Sequence, residues 1–157
     1  MDKLPMTLVG KQMIDSELEG LIKKDREEVK RAIAEAREHG DLKENAEYHA
    51  AKEKQSHIEG RIQELQAKLA TANVIDVSKL NNDKIVFGAT IELYSEEKDA
   101  SFTYQIVGEE EAQTSDKKIS YSSPLGKALI GKEEGDEVVV KAPKGDVHYV
   151  VESIEYK

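Results

Sequence analysis

The chain predicts an α+β protein in which an antiparallel helical hairpin precedes an antiparallel sheet folded on one short helix. Apolar residues recur at steps of threes and fours from Ile14 to Ala72, the period of helices with one buried face. A single turn signal, Gly40-Asp41, interrupts them midway. Beyond Asn73 the period shortens to the alternation of strands.

The first helix is expected to start at Thr7, an acceptable N-cap, and to run to His39. Its stripe is Ile14, Leu18, Leu21, Ile22, Val29, Ala32, Ile33 and Ala36, with Asp25 as an interruption. The second helix carries Ala51, Gln55, Ile58, Ile62, Leu65, Leu69 and Ala72, a coiled-coil seam with one polar break at Gln55. Helices of roughly 30 residues are about 45 Å long, and one turn between them requires an antiparallel arrangement. The hairpin, residues 1–75 with its tip at 39–48, should therefore project like a finger.

Residues 76–157 are expected to form the second domain. Ile85–Phe87 with Ala89–Tyr94, and then Phe102–Val107, read as strands. Glu137–Lys141 and Val147–Ile154 read as another pair around Pro143-Lys144-Gly145-Asp146. Between them Ser123 is a favoured N-cap, Pro124 suits the first helical position, and Gly131 is a stop.

Composition narrows the functional classes. Charged residues make up 35% of the chain and aromatics 5%, against about 25% charged in an ordinary domain, which favours long exposed helices. The absence of cysteine excludes disulfides and thiolate metal sites. The four histidines, His39, His49, His57 and His148, have no metal-ligand spacing. Apolar runs fall far short of the roughly 20 residues that span a bilayer, and Met1-Asp2-Lys3-Leu4-Pro5 has no apolar signal core. A cytoplasmic protein without membrane contact is expected. Residues 1–75 carry 13 basic and 15 acidic side chains, and 76–157 carry 10 and 17. Duplex binding needs clustered cations to displace counterions from phosphates, so autonomous DNA binding is not expected.

The run Gly40-Asp41-Leu42-Lys43-Glu44-Asn45-Ala46-Glu47-Tyr48 admits two readings. In the first, Gly40 ends one helix in the left-handed C′ position, Asp41 caps the next, and Glu44 completes a capping box. In the second, the carboxylates of Asp41 and Glu44 form an anionic pair on one side of a helix start. Mg²⁺ is usually held by one or two carboxylates with waters and phosphates, so such a pair needs further ligands from another molecule. Spacing alone leaves both readings open.

The stretch Ala34–Lys52, AEAREHGDLKENAEYHAAK, closely resembles the bacterial transcript cleavage factors of the GreA type. The similarity continues through Pro5-Met6-Thr7, Gly10 and Ile58–Ile62. It resumes in Phe87–Thr90, in Tyr104–Gly108 and in Ser123–Lys132, so nearly the whole chain is covered. The resemblance implies an FKBP-like fold for the C-terminal sheet and a role in transcription elongation. The hairpin would enter the secondary channel of RNA polymerase while the C-terminal domain docks on the channel rim. Asp41 and Glu44 would help hold a Mg²⁺ shared with the polymerase active site, where backtracked RNA is cut. The protein would have no cofactor and no enzyme activity of its own.

Further tip residues of the family correspond to Leu42, Asn45 and Tyr48, which would position the RNA 3′ end or the attacking water; ordinary turn packing is the competing account. Arg37 and Lys52 fill positions thought to guide extruded RNA, and a solvated helix face would explain them equally. Lys52 stands where many relatives have Arg, which keeps the charge and loses bidentate phosphate contact. Leu42, Ala50 and Ala51 argue against the GreB subtype, which has a broader basic patch. A channel-occupying inhibitor is a second possibility, disfavoured by the intact acidic pair. A chaperone-like prolyl isomerase with a coiled-coil arm is a third. Its proline pocket would need more aromatic lining than Phe87, Phe102 and a few Tyr supply.

Overall fold

The computed structural model describes residues 3–40 and 45–157. Among these the chain divides into two compact units, Gln12–Thr71 and a second containing the residues up to Lys11 with Ala72–Lys157.

The first unit is built on a helical hairpin. Helix α1 (Leu8–Gly20) continues through a π-helical turn (Leu21–Asp25) into α2 (Arg26–Glu38), and α3 (Ala46–Ala70) returns. Val29, Ile58 and Ile62 are buried together, with Leu18, Leu21 and Ile22 packed against them. Ile33, Ala36 and Leu65 are also buried. Burial of each large aliphatic side chain contributes about 1.5–3 kcal/mol, which supplies the driving force that isolated helices lack. The stripe departs from expectation at two positions: Ala32 is exposed, and Ala72 lies in a strand rather than in α3.

The π turn accounts for the break at Asp25. The Arg26 amide donates to Leu21 O, five residues back, so the helix accommodates one extra residue and its buried face shifts in phase. Asp25 and Arg26 are left half-buried at the seam. Arg26 then reaches α3 as a fork, Nε and Nη2 each 2.9 Å from a Glu59 carboxylate oxygen. Arg61 makes a similar fork to Glu17 at 2.8–3.1 Å. Partners 26 and 59, and 17 and 61, run in opposite directions along the chain, as an antiparallel pair requires.

The second unit contains two sheets. Strands β1 (Leu4–Thr7) and β2 (Ala72–Ile75) pair in parallel, Leu4 opposite Ala72 and Thr7 opposite Ile75. Thr7 closes β1 and caps α1, as its sequence position suggests: Gly10 N–H donates to Thr7 Oγ1 at 3.0 Å. The same hydroxyl donates to Glu111, a buried carboxylate whose other oxygen lies 2.8 Å from Lys118 Nζ.

The main sheet has the order β5-β4-β3-β7-β6. Its strands are β3 (Thr90–Ser95), β4 (Ala100–Val107), β5 (Lys118–Ser120), β6 (Glu137–Ala142) and β7 (Gly145–Glu155). β4, β3, β7 and β6 are antiparallel to their neighbours, as predicted, and β5 adds a parallel edge reached through the short helix α4 (Glu109–Ala112). Ile91, Leu93, Ile106, Leu129, Val138 and Val151 form the core of this layer. Helix α5 (Pro124–Leu129) begins as the sequence predicts, with Ser123 Oγ accepting from Gly126 N–H at 3.1 Å. A Cβ at Gly126 would stand 2.2 Å from Ser120 O, so no larger residue fits this close approach. Ile85–Phe87 is not a strand. Ile85 is fully buried, and its backbone exchanges 2.8 Å hydrogen bonds with Gly131 and Lys132 beyond α5, while a turn at Phe87-Gly88 ends the extended run.

Candidate functional site at the helical tip

Helix α2 ends at Glu38. His39 N–H donates to Ala36 O at 3.2 Å, and Gly40 takes φ of 120°, a left-handed conformation that favours glycine at a helix stop. Helix α3 begins at Ala46 with Asn45 as its N-cap, extended at φ −82° and ψ 98°. Asn45 Oδ1 accepts from Tyr48 N–H at 3.1 Å. The capping role expected of Asp41 therefore belongs to Asn45, itself a favoured capping type. Asp41, Leu42 and Glu44 lie outside the described residues, as does Lys43.

Asn45 uses both ends of its amide. Nδ2 donates to Ala36 O at 2.5 Å, so one carbonyl of the last turn of α2 accepts from both His39 and Asn45. The side chain thus ties the end of α2 to the start of α3. Its sequence signal was available, since Asn is a strong N-cap. The bond to Ala36 depends on the antiparallel contact and is invisible in local sequence.

The cationic and aromatic tip residues also meet across the hairpin. The Arg37 guanidinium carbon lies 5.8 Å from the centre of the Tyr48 ring, within cation–π range. His49 packs edge-on to the same ring at 5.6 Å. Tyr48 is half-buried and Arg37 is exposed. Lys52 stands one turn beyond Tyr48 on the same side of α3. It is exposed, and its Nζ lies 3.3 Å from Gln55 Oε1. Arg37, Tyr48 and Lys52 thus border the tip with two cations and one ring, a surface suited to a phosphodiester chain and a base. No group of three or more His, Asp or Glu suited to a metal occurs among the described residues.

Two family models match the chain: "Transcription elongation factor, N-terminal" over residues 4–74 and "Transcription elongation factor, GreA/GreB, C-term" over 80–156. The chain is 56% identical to transcription elongation factor GreA of Thioalkalivibrio sulfidiphilus, over 99% of each chain. It is 51% identical to GreA of Francisella tularensis subsp. novicida, over 99% of this chain and 98% of the relative. Among solved structures, the GreA factor homolog 1 (Gfh1) protein of Thermus thermophilus is 27% identical, covers 98% of this chain and 99% of its own, and has a TM-score of 0.45.

Proposed function

Because the chain belongs to the GreA/GreB family of transcription elongation factors, we propose that it binds bacterial RNA polymerase and stimulates cleavage of backtracked RNA. The hairpin enters the secondary channel, the C-terminal unit docks on the channel rim, and the tip meets the RNA 3′ end. The factor contributes residues to the polymerase's reaction and is not an enzyme alone.

One observation carries this reading. The cap of α3 is made by Asn45, which also ties α3 to the last turn of α2, so capping α3 does not call on Asp41 or Glu44, which precede Asn45 in the sequence. Two carboxylates are a fitting partial donor set for Mg²⁺, whose remaining ligands would be water, phosphate and polymerase carboxylates. Mg²⁺ held there would supply charge stabilisation for an in-line attack of water on the phosphodiester. Asp41 and Glu44 recruit the ion by charge. Arg37 and Lys52 attract the RNA backbone, and Asn45 sets the separation of the two helix ends. Tyr48 offers its ring to the terminal base.

The test is the double substitution Asp41→Asn, Glu44→Gln added to stalled, backtracked elongation complexes with labelled RNA 3′ ends. Both negative charges are lost while size and hydrogen-bonding capacity are nearly kept. Melting temperature and polymerase binding should be unchanged, and release of short 3′ fragments should be abolished. Cleavage at the unmodified rate would remove the acidic pair from the mechanism.

A further inference from the structure

Among the described residues, strand β6 has a strand neighbour on one side only. Its hydrogen-bonding direction follows from β7. Val151 N–H donates to Asp136 O, while His148 turns its backbone the other way: its carbonyl accepts from Glu96 N–H and its N–H donates to Glu97. Alternation along an antiparallel pair then directs residues 138, 140 and 142 of β6 toward β7. The backbone N–H and C=O groups of Glu137, Val139 and Lys141 point outward, to the open edge. Val139 is 44% exposed, unusual for an aliphatic residue in the middle of a strand.

Open edges are normally protected by charge, because a second strand would bring like charges together. This edge has the opposite property. Glu137-Val138-Val139-Val140-Lys141 is symmetric about Val139, with a carboxylate at one end and an ammonium at the other. In a two-fold antiparallel pairing centred on Val139, the outward-facing residues of one copy meet those of the other. Val139 exchanges backbone bonds with Val139, and each Glu137 lies opposite a Lys141. The charges that would block a parallel neighbour therefore select an antiparallel copy of the same strand. On β7, His148 Nδ1 lies 3.9 Å from Glu137 Oε1 and Asp146 stands opposite Lys141, so each charge of the ladder also has a neighbour within its own chain.

We infer that β6 is a self-association edge, through which two copies of this chain join their main sheets by antiparallel β6–β6 pairing. The contact is small, well below the roughly 1,200 Å² of a stable interface, so dissociation constants on the order of 0.1–1 mM are expected. The inference is independent of the polymerase reading.

Sedimentation equilibrium of the full chain, from about 10 μM to about 1 mM, reads it directly. The unmodified protein should show a monomer–dimer equilibrium. Glu137→Lys alone and Lys141→Glu alone place like charges at both ends of the ladder and should each weaken dimerisation about tenfold or more. An equimolar mixture of the two variants restores opposite charges at every position, as does the double swap E137K/K141E, and both should dimerise like the unmodified protein. These exposed substitutions should leave the circular dichroism spectrum unchanged. A protein that stays monomeric throughout the range overturns the inference. So does dimerisation indifferent to the single reversals, or a mixture that fails to recover it.

Discussion

Replacing Asn45 by alanine removes two hydrogen bonds that join the ends of α2 and α3, and the size of the loss separates a structural clamp from an RNA contact. The cap bond to Tyr48 N–H is worth about 0.5–2 kcal/mol when an Asn cap becomes Ala. The bond from Nδ2 to Ala36 O adds about 0.5–1.5 kcal/mol, toward the low end because that carbonyl keeps its bond from His39. Asn45→Ala should therefore destabilise the hairpin by about 1–3 kcal/mol. Asn45→Asp keeps the cap acceptor but sets a carboxylate oxygen against the Ala36 carbonyl, so it should lose about 1 kcal/mol. Urea unfolding followed by helical circular dichroism measures both. In the cleavage assay, a clamp predicts that Asp retains more activity than Ala, in the order of stability. If Asn45→Ala leaves the unfolding curve in place while cleavage collapses, the side chain acts on RNA directly and the clamp reasoning is wrong.

Substituting Arg37 and Lys52 together by Ala should weaken RNA cleavage, and the residual activity should depend less on salt, because screened surface charges are what has been removed. Melting should drop by no more than about 1 kcal/mol equivalent, the Arg37–Tyr48 contact being exposed; a large loss of helicity would refute the guiding role. Glu111→Ala should cost about 2–4 kcal/mol in the second unit, since it strips Lys118 and Thr7 of a buried partner, with Glu111→Gln in between by urea unfolding. Tyr156 is held above the ordinary phenol value of 10.0, chiefly by burial, and Tyr149 likewise. Because a raised folded value gives stability that is present below the unfolded value and lost above it, the sheet should weaken progressively above about pH 10. Tyr156→Phe should reduce that alkaline loss while costing about 1 kcal/mol at neutral pH, where it forfeits the 2.7 Å bond to Lys84 O.

Periodicity alone determined the helical hairpin, because a seam of threes and fours on each side of one turn has a single compact solution. Ser123-Pro124, Gly40 and Thr7 marked helix ends correctly, since capping is local chemistry between residues two or three apart. The short parallel pair β1–β2 was not legible, because Leu4 and Ala72 carry no alternation and their partnership exists only after the hairpin returns the chain. Strand β5 was hidden for the same reason: three residues pair in parallel across a crossover. At the tip, sequence identified the Asp41–Tyr48 run and its resemblance to a family, but left open whether Asp41 serves as the helix cap. Tertiary structure decided in favour of Asn45, whose second bond spans the two helices, so the best cap is the side chain that can satisfy both ends at once. The π turn at Leu21–Asp25 was likewise decided by packing. Only against α3 does shifting the buried face by one residue bring Arg26 to Glu59 and return Val29 to the seam.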